Sequence, residues 1–395
     1  MRAHRRLIAV VAAAGLLSTA ACSSGDPSAA PTSTSTTASS ATSTSTVSSS
    51  STTPVAQTCG AAELKSMSLR DKLAQLLVVG VTDAGDARQV VRDEHIGGVF
   101  VGSWSDLNML SDGSIGELSK AQKYPLMVTV DQEGGRVSRL SSLGIDMPSA
   151  RVLAKTKTPE QVRALAKDAG EKMRRLGITV DFAPDADVSD EADDEVIGDR
   201  SFSDDPAVVT EYAGAFARGL QDAGIMPVYK HFPGHGHGSG DSHTGTVRTP
   251  PIDELVATDL VPYKTLLADP GDVGVMVGHL IVPGLTGPET PSSISPRAIG
   301  MLRSGERYGG PAFNGVVFSD DLSGMAAISD KYPIEVAVRK AINAGSDVAL
   351  WLSTDKVGSV LDSLEKAVAD KKLTQARVDR SVVRILRSKG VIDCQ

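Results

Sequence analysis

Eight short apolar runs constrain this chain more than any other feature. They fall at 76–79, 98–101, 126–130, 178–182, 226–229, 274–277, 315–318 and 347–351, each bounded by glycine or polar residues. Val, Ile, Leu, Met and Phe dominate them with little polar alternation, the pattern of parallel strands buried on both faces. Helical periodicity lies between many of them. In the stretch 159–176, Val162, Leu165, Ala166, Ala169 and Met173 recur three and four apart, and 207–223 and 333–344 read similarly. Strands alternating with helices imply an α/β protein with a parallel sheet. Eight such strands imply a single-domain (β/α)8 TIM-like barrel, whose functional site lies at the C-terminal ends of the strands. The helix after the second strand is weakly signalled, so irregularity is expected there. The alternative is an open doubly wound sheet.

The strand ends discriminate between the two. Run three ends in Asp131, run five in Lys230 and His231, run six in His279, and run seven in Ser319, Asp320 and Asp321. In an open sheet these groups would form a line, whereas in a barrel they converge on one pocket.

The two ends of the chain carry other signals. Arg2, Arg5 and Arg6 precede an apolar run from Leu7 to Leu17 that is too short to span a bilayer, so residues 1–21 read as an export signal. Leu17-Ser18-Thr19-Ala20-Ala21-Cys22 resembles a bacterial lipobox, with Thr19 where a branched aliphatic residue is usual, and makes Cys22 the candidate lipidation site. Residues 22–57 are rich in Ser, Thr, Ala and Pro and lack the apolar bulk to repay the entropy of folding, so they read as a disordered tether. The folded domain is expected over 58–395, with Cys59 and Cys394 as a candidate disulfide in an oxidising compartment. Removing residues 1–21 takes away three arginines and no carboxylate, so the mature chain is more acidic than the −8 of the full chain. An acidic chain with no basic run argues against nucleic acid as a partner.

The loop Lys230-His231-Phe232-Pro233-Gly234-His235-Gly236-His237-Gly238-Ser239-Gly240-Asp241-Ser242-His243 holds four of the seven histidines. As a metal site it would offer imidazoles and the Asp241 carboxylate, but the spacing matches no common zinc motif. As an acid/base device it places Asp241 two residues from His243, where the anion orients the imidazole and favours its protonated form. A carboxylate at the end of run seven then supplies a nucleophile. A carboxylate nucleophile with a separate proton donor describes a retaining glycosidase, although a histidine donor is a variant of the usual second carboxylic acid.

The residues also carry a family resemblance. Lys230 to Gly236 followed by Asp241-Ser242-His243 resembles the signature of glycoside hydrolase family 3 β-N-acetylglucosaminidases. Asp131-Gln132-Glu133-Gly134-Gly135-Arg136-Val137, Gly198-Asp199-Arg200-Ser201-Phe202 and Phe318-Ser319-Asp320-Asp321-Leu322 match its other motifs in the same order. The resemblance covers nearly all of the domain from Leu64 onward. It implies a single catalytic barrel domain that hydrolyses terminal β-linked N-acetylglucosamine with retention. Asp320 would be the nucleophile and His243, paired with Asp241, the acid/base. Asp131, Arg139, Arg200, Lys230 and His231 would hold the sugar hydroxyls. Cell-wall (peptidoglycan) fragments are the expected carbohydrate, and the lipid on Cys22 would attach the enzyme to the extracytoplasmic face of the membrane. No cofactor or metal is implied, and a monomer is expected. A β-glucosidase or phosphorylase of the same family, and a sugar-binding surface lipoprotein without catalysis, are the alternatives.

Individual residues have plainer readings. Asp321 can simply satisfy backbone donors where the strand ends. Asp131 can pair with Arg136, and Arg200 with Asp199. His235 is expected to shape the loop, His237 to be solvated, and His279 to be a satisfied core histidine. Trp351 either packs over the sugar or fills the top of the barrel.

Overall fold

The computed structural model describes residues 59–393, so the expected export signal and tether, Cys22 and Cys394 lie outside the described residues. Eight strands form one parallel sheet: β1 Leu77–Val81, β2 Gly98–Val101, β3 Met127–Val130, β4 Val180–Asp181, β5 Met226–Phe232, β6 Gly274–Val277, β7 Val316–Ser319 and β8 Ala349–Trp351. They pair in chain order, with β1 also against β8. The ring closes through a parallel bridge between Phe318 and Val348, with Ser319 N–H donating to Val348 C=O at 2.9 Å. This is the expected (β/α)8 barrel, and the open sheet is excluded.

Two strands differ in extent from the apolar runs. β5 continues through Lys230 and His231 to Phe232, so these two residues lie within the strand rather than beyond it. β4 is only two residues long, although Thr179 and Phe182 on either side still donate to Val128 and Val130. After β2 come only the short helices Asn108–Ser111 and Ser114–Lys120, the irregularity expected there.

The helices start where local chemistry dictates. Thr158 and Gln161 form a reciprocal capping box at the head of Pro159–Arg175, with Pro159 supplying a preset φ at the first position. Asp205 caps Pro206–Asp222 by accepting the Ala207 N–H, again with proline first. Ile334–Ala344 also begins within a residue of its expected position.

Side chains fill the barrel. Phe100, Phe182 and Phe318 pack in series, with ring centroids 5.9 Å and 5.3 Å apart. Trp351 is 1% exposed and donates its indole N–H to Asp355 C=O, so it fills the top of the barrel rather than covering a ligand. The floor is crossed by the last helix, Gln375–Ser388. Its Arg377 donates to Ser346 C=O just before β8, and Lys389 following it donates to Gly97 C=O just before β2. Gly60 lies against Val383 and Ile392, which brings the two ends of the described chain together at this floor. Cys59 is disulfide-bonded.

Candidate active site

A cavity of about 290 Å³ opens at the C-terminal rim of the barrel. All eight candidate residues line it: Asp131, Arg139, Arg200, Lys230, His231, Asp241, His243 and Asp320.

β7 delivers Asp320 at its end. The residue is 8% exposed, and its Oδ2 is buried with no hydrogen-bond partner among the described residues. Burial pushes this carboxyl up, but the charges of His231 and His279, the Asp321 N–H and Lys230 outweigh burial and hold it below the usual range. The neighbouring Asp321 is engaged differently. Its Oδ1 accepts from the Ser323 N–H and hydroxyl, and its Oδ2 accepts from the Gly324 N–H. The parity of the strand left both carboxylates open, and their hydrogen bonds separate them: Asp321 caps the turn and Asp320 keeps a free oxygen.

β5 and the short strand Gln132–Gly134 supply a buried ion network. Lys230 Nζ donates to Asp131 Oδ1 at 2.7 Å and also contacts Glu133. Glu133 takes a two-pronged contact from Arg200 at 2.8 and 2.9 Å, and Asp185 stands behind Arg200 at 3.4 Å. Burial disfavours the Glu133 charge, yet Arg200 and Lys230 hold its carboxyl well below the usual range. Asp185 moves the opposite way, raised by burial despite Arg200. Arg136 pairs with Asp199 and with the loop carbonyls around Asp193, so neither plainer pairing, Asp131 with Arg136 or Arg200 with Asp199, occurs. Arg139 lines the cavity without a hydrogen bond or ion pair to any described residue.

His231 is oriented from below. Its Nδ1 lies 2.7 Å from Asp187 Oδ2, and the same carboxylate accepts the backbone N–H groups of His231 and His235. Burial lowers the His231 pKa, but the charge and hydrogen bond of Asp187 outweigh it and leave the pKa raised. Asp185, Asp187 and His231 have ligand-type atoms mutually within 4.8 Å. Arg200 and the His231 proton already bring positive charge to these carboxylates.

The His243–Asp241 pair sits at the mouth. His243 Nδ1 is 2.8 Å from Asp241 Oδ1, which leaves Nε2 free, and the His243 side chain is 66% exposed. Burial raises the Asp241 carboxyl, and the His243 N–H and imidazole more than reverse this. The loop is tied down on both sides of its glycines. Ala326 and Ala327, just beyond β7, donate to the carbonyls of His243 and Ser242. His235 is 3% exposed and shapes the loop through its N–H to Asp187. His237 keeps part of its surface in solvent, as expected, but its Nδ1 is also held 2.9 Å from the fully buried Asp259. The partner is 22 residues away, so no local spacing announced it. His279 is a satisfied buried histidine, bonded to Ser293 Oγ and to Asp321 C=O.

Glu133, Asp185 and Asp187 hold this site together and were not assigned roles from sequence. One signal was available. Asp181, Asp185 and Asp187 share the same parity in a largely apolar stretch, which would direct them to one side of an extended chain.

A free carboxylate, a histidine–carboxylate pair and a set of cations thus meet at the C-terminal rim of a closed barrel, where enzymes of this architecture carry their active sites. Residues 68–388 match the glycosyl hydrolase family 3 N-terminal domain, and the chain belongs to that family. It is 58% identical over 341 residues to the protein named β-hexosaminidase LpqI of Mycobacterium tuberculosis, covering 85% of this chain and 87% of that one. A glycosyl hydrolase of the family from Mycobacterium smegmatis superposes with a TM-score of 0.81 at 59% identity, covering 84% of this chain and 99% of that structure. The solved structure of Mycobacterium tuberculosis LpqI gives 0.80 at 59% identity, with 82% and 94% covered.

Proposed function

We propose that this chain is an exported, lipid-anchored β-N-acetylhexosaminidase that removes terminal non-reducing N-acetylglucosamine from peptidoglycan fragments with retention. The activity class is that named for its β-hexosaminidase relatives. The observation that carries the chemistry is the buried, ionised Asp320 with an unpartnered oxygen, facing the same cavity as the His243–Asp241 pair.

Asp320 attacks the anomeric carbon from below, and the bond to the leaving oxygen breaks. His243 Nε2 donates its proton to that oxygen, while Asp241 holds Nδ1 and stabilises the imidazolium. A water then attacks the glycosyl ester, His243 takes its proton, and Asp320 departs as carboxylate. Two inversions give net retention. Lys230, Asp131, Arg200, His231 and Arg139 hold the hydroxyls of the terminal sugar. Cys22 carries the lipid and holds the enzyme on the extracytoplasmic face of the membrane.

Asp320→Asn should abolish turnover of a nitrophenyl β-N-acetylglucosaminide. His243→Ala should cost roughly 10²–10⁴-fold on N,N′-diacetylchitobiose, and less on the nitrophenyl glycoside, whose leaving group needs no proton. Unchanged rates in either variant would show that the roles are wrong.

A further inference from the structure

We propose that Trp104 is the platform for the leaving sugar, so that the enzyme selects a hexose ring on the departing side of the scissile bond. The inference rests on the glycosidase reading above. Trp104 is 44% exposed and lines the same cavity as Asp320 and His243. A single exposed apolar side chain is ordinary on a protein surface. This one is held in place. Ser105 N–H donates to Gly102 C=O across the turn that carries it. The buried Ser105 hydroxyl donates to Val81 C=O at the end of β1 and accepts the Gly102 N–H. The indole lies on the Gly102 backbone so closely that a Cβ there would stand 2.4 Å from the ring. Phe100 supports its edge, with centroids 5.9 Å apart at 48°. The ring is thus seated on a pinned turn against a glycine, with a face left to solvent.

Position decides which sugar it meets. Of the groups assigned to the terminal sugar, Lys230, His231 and Asp320 lie deep, at 2%, 7% and 8% exposed, and Asp131, Arg139 and Arg200 are partly buried. Trp104 and His243 are the exposed members of the lining. The proton donor must touch the leaving oxygen, and the group beyond that oxygen lies toward the mouth. An indole at the mouth therefore meets the departing ring, whose C–H face stacks on an aromatic surface.

The test compares kcat/KM for N,N′-diacetylchitobiose and for methyl β-N-acetylglucosaminide. Both cleave an alkyl glycoside of the same sugar, and only the first has a leaving ring. Trp104→Ala should reduce the disaccharide-over-methyl ratio about tenfold, the size expected of one stacking contact. Trp104→Phe should retain most of the ratio, and Gly102→Ala should lower it by displacing the ring. A purely structural role would lower both substrates together and leave the ratio intact, which overturns the proposal, as does a ratio unchanged in every variant. If the wild-type enzyme cleaves neither glycoside, the glycosidase reading itself fails.

Discussion

Asp187→Asn probes the least obvious part of the site. Asp187 is fully buried and lies beneath His231, with Nδ1 at 2.7 Å. The amide is nearly isosteric and can still accept the His235 N–H, which reaches Oδ1 at 2.8 Å. What it cannot do is stabilise an imidazolium. A buried hydrogen bond to a charged partner contributes about 1.5–3 kcal/mol. If His231 grips the sugar in its charged form, Asp187→Asn should lower kcat/KM by roughly 10- to 150-fold. His231→Gln removes the same link from the other side while keeping a donor near the position of Nε2. In a double-mutant cycle the two losses should overlap, with a coupling of at least about 1.5 kcal/mol. The pH profile should shift too. Wild-type His231 titrates above the usual 6.5 because Asp187 outweighs burial, so the variant should lose activity at lower pH than the wild type does. Additive losses within about 0.5 kcal/mol, with an unmoved profile, would refute the reasoning.

Two further outcomes follow from the same geometry. The raised His231 pKa means that the folded state retains a proton which the unfolded chain releases near 6.5, so this stabilisation is complete below that pH and lost as pH rises through the folded value. Asp187, with its pKa lowered below 3.8, contributes above that value and loses its contribution as pH falls through the folded one. Thermal melts across pH 6–9 should therefore decline in the wild type relative to Asp187→Asn. Gly234→Ala should cost about 2 kcal/mol or more in chemical denaturation and also lower kcat, because Gly234 has φ of 130° and an added Cβ would stand 2.3 Å from Asp259, the partner of His237.

The barrel was legible because strands buried on both faces must be written as apolar runs, and all eight runs became strands. Their extents were less so. Lys230 and His231 lie inside the strand despite their polarity, at the point where its register against β6 shifts, and Asp131, Glu133 and Asp187 neutralise them across the chain. The site was legible where its residues are local, as in Asp241-Ser242-His243, or stand at a strand end, as does Asp320. It was opaque where the partners come from distant segments. Nothing near Arg200 in the chain points to Glu133, 67 residues earlier, and nothing near His237 points to Asp259. Trp104 was overlooked because one aromatic after a strand reads as core until its exposure is known.

The meeting of the chain ends beneath the barrel also sets its mechanics. Cys59 and Gly60, where the described residues begin, lie beside the floor helix, away from the C-terminal rim that holds the cavity. Tension applied through that end is taken up at the floor and need not pass through β5 or β7, which carry Lys230, His231 and Asp320. The first described residues and the rim that carries Lys230, His231 and Asp320 thus stand at opposite ends of the barrel, so a load on one need not strain the distances at the other.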